Sequence, residues 1–143
     1  MTVAVYGAFL FTVALLVATA YFLMGGLPLL ILKHDVSLDA RFIRSFFNLY
    51  YRMAVVFSLL AGLSYAAWGK PVFAAGAAAI AAMSWVLRRV LLRIMEDLGS
   101  RIEAGELAAI ARFRRVHGLA LLINLVQLVV VVGSMVKLTK QLS

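Results

Sequence analysis

The run Val116-His117-Gly118-Leu119-Ala120-Leu121-Leu122-Ile123-Asn124-Leu125-Val126-Gln127-Leu128-Val129-Val130-Val131-Val132-Gly133-Ser134-Met135-Val136 decides the fold class. It contains no Asp, Glu, Lys or Arg and ends against Lys137. As a helix it covers about 30 Å, the thickness of a bilayer's hydrocarbon. A helix on the surface of a water-soluble domain would carry a polar face at every turn. This run has only four markedly polar side chains, His117, Asn124, Gln127 and Ser134.

The rest of the chain agrees. Of 143 residues, 65% are hydrophobic and the mean hydropathy is +1.03, whereas soluble domains are about half apolar. Three further runs have the length of a membrane span. The first is Val3 to about Met24, followed by Gly25-Gly26-Leu27-Pro28, where glycines and proline are expected to loosen the helix. Ala18-Thr19-Ala20 has the look of a signal-peptide cleavage site. No basic residue precedes it, however, and Tyr21-Phe22-Leu23 continues the apolar run, so the span is read as retained.

The second span is about Met53 to Trp68, on a helix expected to begin near Asp39, and the third is Val72 to about Leu92. Gly69-Lys70-Pro71 between them predicts a tight hairpin. Gly99 is expected to end the third helix, and Ser100 with Glu103 has the spacing of a capping box that would open a new one. The expectation is all-α: one domain over residues 1–143, an integral membrane up-down four-helix bundle with spans at about 3–24, 53–68, 72–92 and 116–136. Steps of four small residues, Ser58/Gly62/Ala66 and Ala74/Ala78/Ala82, predict faces for close packing of spans two and three.

Charge sets orientation. The net charge is +8, yet the basic residues flank apolar runs, which fits lipid headgroups and argues against nucleic acid. Lys33, Arg41, Arg44 and Arg52 follow span one, and seven arginines from Arg88 to Arg115 follow span three. Only Lys70, Lys137 and Lys140 lie on the other side. Positive charge accumulates in the cytoplasm, so both termini are expected on the non-cytoplasmic side of an inner membrane.

The chemistry on offer is sparse. The chain has no Cys, and no Asp or Glu lies inside a span, which counts against a proton-coupled antiporter built on an intramembrane carboxylate. Asp35, Asp39, Glu96, Asp97, Glu103 and Glu106 read as charges at helix ends with Arg partners. Ser-nucleophile, P-loop and dinucleotide fingerprints are absent. There are two histidines, His34 in a loop and His117 at the start of a span. They could share a haem only if that loop folded over the mouth of the bundle, and no metal or cofactor is expected.

His117, Asn124 and Gln127 are separated by seven and three residues and share one face of the last helix. Asn124 lies about 10 Å deeper than His117 and Gln127 about 15 Å deeper. This polar seam reads either as interhelical hydrogen bonding or as one wall of a pocket. Arg44, Asn48 and Arg52 recur at four-residue steps on the second helix, and Arg88 and Arg89 fall at a similar depth on the third. Arg52, Arg88 and Arg89 are expected to meet His117 at one level, where such a ring could hold an anionic or polar headgroup, the alternative being arginines that snorkel to lipid phosphates.

Phe113-Arg114-Arg115-Val116-His117-Gly118, with Asn124 seven residues beyond His117, resembles the last-helix pattern of small four-span membrane proteins of the anthrone oxygenase-like family. That resemblance implies a cofactor-independent oxygenation of a polycyclic phenol, with His117 and Asn124 at the matching positions. The membrane glutathione-transferase and eicosanoid superfamily is similarly short, basic and four-spanning. There Arg44-Ser45-Phe46-Phe47-Asn48 departs from the motif in spacing and in the Glu that should follow. The expected role is a non-catalytic membrane protein, an accessory subunit of a larger complex or a homo-oligomer, or else a binder of a hydrophobic, lipid-like ligand. The alternative is a small membrane enzyme using His117 as base, Asn124 to orient a phenolic substrate, and Arg52 or Arg88 to stabilise negative charge.

Overall fold

The computed structural model describes residues 2–142 and, as far as residue 140, their side chains. Four helices follow one another: α1 Thr2–Leu29, α2 Ser37–Ala67, α3 Pro71–Glu103 and α4 Leu107–Leu142. All four are long and apolar enough to cross a membrane, and the protein is a multi-pass membrane bundle. α2 packs on α1 and α3, and α4 packs on α1 and α3, so successive helices run up and down around a square. The loops at residues 30–36 and 104–106 lie at one end, here called the basic end. The turn at 68–70 closes the other, the hairpin end.

The outward faces are apolar because hydrocarbon is their solvent: Leu10, Val17, Tyr21 and Met24 on α1 and Val126, Val129 and Val130 on α4 are all exposed. The interior differs from one end to the other. Towards the basic end, Phe22 stacks on Tyr50 at 4.0 Å and meets Phe47 edge-on at 4.8 Å. Stacked and edge-to-face arrangements of this kind favour the ring quadrupoles. Towards the hairpin end, Ala8, Ala61, Tyr65, Ala77 and Leu138 form a second cluster, and small side chains there bring backbones close. The hairpin forms as its residues predict: Gly69 takes φ +76, and Pro71 opens α3 at a position where no backbone N–H is needed.

Three expectations are corrected. α1 is not broken at Gly25-Gly26-Pro28. Pro28 falls in its last turn, where it removes little, and the chain winds on through bonds from Leu30, Ile31 and Leu32 back to residues 27, 28 and 29. α3 likewise passes through Gly99. Leu91, Met95, Leu98 and Ile102 continue one buried stripe across it, and burying that stripe outweighs the propensity cost of one glycine. Ser100 Oγ donates back to the Glu96 carbonyl at 3.1 Å instead of capping a new helix, and the turn comes at Gly105, φ +85.

The third correction concerns the small-residue face of α3. Ala77, Ala81 and Ser84 are buried, whereas Ala78 and Ala82 are exposed. In an alanine run every four-residue step looks alike, so composition cannot say which one faces inward. Gly62 does meet α3: a Cβ there would lie 3.5 Å from the Ala74 carbonyl oxygen and the Ala77 Cβ.

Gly62→Leu should overpack the α2–α3 contact and destabilise the bundle by about 1–3 kcal/mol. Gly76→Leu, at a position with nothing within 4 Å, should be tolerated. Unfolding in mixed detergent micelles compares the two, and equal stability would remove the close contact from the account of the fold.

Candidate functional site

The loop between α1 and α2 folds over the basic end of the bundle. Arg114 Nη2 donates to the Leu32 carbonyl at 3.1 Å and pins the loop to α4. Two residues on, His34 adopts φ 59, a left-handed conformation unusual for a residue with a Cβ. The turn drives its ring inward until Nε2 lies 3.4 Å from His117 Nδ1. Both histidines are fully buried. Phe113 lies 5.6 Å from His34 and Phe47 5.2 Å from His117, centroid to centroid, so aromatic rings close the sides.

Further in, Asn124 Nδ2 donates to the Tyr51 hydroxyl at 3.3 Å and to the Ala120 carbonyl at 2.8 Å. Thr19 on α1 meets the Tyr50 hydroxyl at 3.2 Å. The Gln127 amide neighbours the Tyr50 hydroxyl. Towards the hairpin end come buried Ser58 and Ser84, then the Thr12–Tyr65 hydroxyl pair at 2.9 Å. Among the described residues, the buried Asn124 Oδ1 and the Ser58 and Ser84 hydroxyls have no hydrogen-bond partner. A lost partner costs about 1–3 kcal/mol per buried group.

The seam read on α4 therefore faces the bundle axis. The arginines expected beside it do not join it. Arg88 Nε donates to Asn48 Oδ1 at 2.9 Å, and Arg89 lies 4.4 Å over the exposed Trp85 ring. Arg44 pairs with Glu96 at 2.9 Å, and Arg52 is exposed. The ring with His117 is not formed, because these side chains occupy outward faces of α2 and α3. Neither of the two recesses described below is lined by His117 or Asn124, and Phe47, Tyr51, Ala120 and Leu121 are buried in that part of the core.

The loop does fold over the mouth, the condition set for a haem shared by both histidines. With the ring nitrogens only 3.4 Å apart, no slot for a macrocycle lies between them. Among the described residues no three His, Cys, Asp or Glu side chains gather as a metal site. Two recesses open elsewhere. A groove of about 500 Å³ runs between α1 and α2, lined by Val13, Val17, Phe22, Leu49, Tyr50 and Met53 among others. A cavity of about 390 Å³ opens at the hairpin end, lined among others by Thr12, Leu15, Tyr65, Ile80, Val131 and Lys137.

No family model, curated protein or solved structure matches this chain. Its chemistry is read from its own geometry.

His34 was legible only as a loop residue, and the sequence did not single out Tyr51 or Thr19 as site residues. The signals that place them are an unusual backbone angle and contacts between helices, which no spacing along one helix contains.

Burial holds the His34 imidazole below its ordinary pKa, and the Arg114 charge adds to this against the opposing influence of the Leu32 carbonyl, Asp39 and Asp35. A base whose pKa falls on folding stabilises the docked loop above its free pKa, and that contribution is lost as pH drops. Loop docking should therefore weaken below a pH of about 6.5. Hydrogen exchange of the 30–36 amides should accelerate between pH 7.5 and 5 beyond the intrinsic rate, and His34→Phe should abolish the pH dependence. Unchanged protection at pH 5 would contradict the account.

Proposed function

We propose that this chain is a non-catalytic inner-membrane protein that binds a lipid-like ligand, with its basic end in the cytoplasm and both termini on the other side. The concentration of arginines on the two long connections supports the orientation. The α1–α2 groove carries the binding reading. Its volume of about 500 Å³ lies in the range of small-molecule sites, about 300–1,000 Å³, and it faces the hydrocarbon, where acyl chains are the available occupants.

The ligand is an anionic lipid. Arg52 is exposed and stands one turn from Leu49 of the groove wall, on the same side of α2. A headgroup at Arg52 places the chain along α1 towards Leu10, which also lines the groove. At the groove's floor, Phe22 and Tyr50 separate the chain from the polar seam.

A catalytic reading has one observation in its favour, the buried His34–His117 pair. Oxygenation of a phenolic ring there requires space beside Asn124, and that space is filled by core side chains.

Native mass spectrometry after purification in mild detergent tests the proposal. The expected result is a bound anionic lipid that is lost in Ala14→Trp, which fills the groove, and exchanged for neutral lipid in Arg52→Gln. A lipid retained equally by both variants would refute the groove. A stable assembly with a different protein, free of bound lipid, would favour the accessory-subunit role instead.

A further inference from the structure

The two buried histidines do not have enough protons between them. Their rings meet through His34 Nε2 and His117 Nδ1, 3.4 Å apart. The remaining nitrogen of each ring faces a backbone carbonyl, that of Leu32 for His34 and that of Gly26 for His117. From loop to helix the series is therefore carbonyl, His34, His117, carbonyl, with three gaps to bridge. A carbonyl oxygen only accepts, and a neutral imidazole carries a single ring N–H. Two protons cannot bridge three gaps, so in the neutral pair one gap sets lone pair against lone pair.

A third proton would complete the series, but it creates a buried imidazolium, which desolvation and the Arg114 charge disfavour at His34. A metal ion completes it differently. Histidines that bind metals ordinarily donate their other N–H to a backbone carbonyl or carboxylate, which fixes the tautomer and aims the bare nitrogen at the ion. Both rings have a carbonyl on that side, so the middle gap is the one left to two bare nitrogens.

The geometry of the gap selects the ion. The ring centroids lie 5.6 Å apart, which is the nitrogen gap plus about one radius of each five-membered ring, so the two lone pairs point along nearly one line. Closed-shell monovalent cations such as Cu(I) and Ag(I) take two ligands in line. Zinc takes four, and among the described residues no three His, Cys, Asp or Glu side chains gather. Calcium and magnesium take oxygen ligands.

We infer that His34 and His117 form a two-coordinate site for a soft monovalent cation, Cu(I) or its analogue Ag(I), held between Nε2 of the one and Nδ1 of the other. With metal–nitrogen bonds of about 2.0 Å, the nitrogens part from 3.4 Å to about 4 Å. His34 supplies that movement, since it lies in the loop while His117 is fixed on α4 against Phe47. The rings of Phe113 and Phe47 flank the pair and shield the ion from water. Asp35 and Asp39 lie near enough to His34 to offset the added charge, with Arg114 opposing them. Both ring protons stay on the carbonyl side, so binding releases none, unlike the usual site whose ligands must first be deprotonated.

The test titrates the full chain in mild detergent with Cu(I) under ascorbate, in competition with a chromogenic chelator, and with Ag(I) as a redox-inert probe. One ion per chain should bind without proton release at pH 7.5, and X-ray absorption should show two nitrogen neighbours and no sulfur. Affinity should fall at least about a hundredfold in His117→Phe and in His34→Asn, since even the partners behind a ligand are worth about 10–100-fold. Asn tolerates the left-handed backbone of the loop, so His34→Asn keeps the test open should His117→Phe fail to fold. Absent binding, undiminished binding in folded His34→Asn, sulfur among the ligands, or Zn(II) held as tightly as Cu(I) would each overturn the inference. The lipid groove lies on the α1–α2 flank, so the bound-lipid measurement succeeds or fails separately.

Discussion

Hydrocarbon offers no partner to a polar group, and this one constraint orders the whole structure. Each helix satisfies its own backbone, so the remaining freedom is how each helix is rotated about its axis. α4 is turned so that His117, Asn124 and Gln127 face the axis while Val126, Val129 and Val130 meet lipid. The opposite rotation would turn two amides and an imidazole towards acyl chains, a cost that no packing gain among valines recovers. The same preference turns Thr12 and Thr19 inward on α1, Ser58 on α2 and Ser84 on α3.

Once the polar residues converge, packing around them becomes specific. Tyr50 and Tyr51 present ring area to Phe22 and Phe47 and hydroxyls to Thr19 and Asn124, serving apolar and polar neighbours at once. Thr12 and Thr19 donate to the carbonyls of Ala8 and Leu15 four residues earlier, which leaves the Tyr65 and Tyr50 hydroxyls to donate to them. The seam is thus held in place but incompletely satisfied.

The basic end follows a different logic. Water is available there, and the ion pairs of Arg41 with Glu103 and Arg101 with Asp97 are exposed and contribute little. The element that matters is the loop over the bundle mouth, held by Arg114 and carrying the buried His34. It joins the connection between α1 and α2 to the interior of α4, so a change in loop docking is felt at the end of the seam.

The four spans, the hairpin at Gly69-Lys70-Pro71 and the common face of His117, Asn124 and Gln127 were legible in the sequence, because hydropathy over twenty residues and the helical period are properties of one segment at a time. Helix continuity through Pro28 and Gly99 was not, since local propensity is weak against a buried stripe that continues past it. The inward face of α3 was hidden in an alanine run whose steps are equivalent. Spacing along one helix does not fix how that helix is rotated against its neighbours, so Arg52, Arg88 and Arg89 were expected beside His117 and lie on other faces. The pairing of His34 with His117 was decided only by tertiary structure, because two residues 83 positions apart meet through a left-handed loop residue and the square arrangement of four helices. Neither appears in the spacing of any one segment.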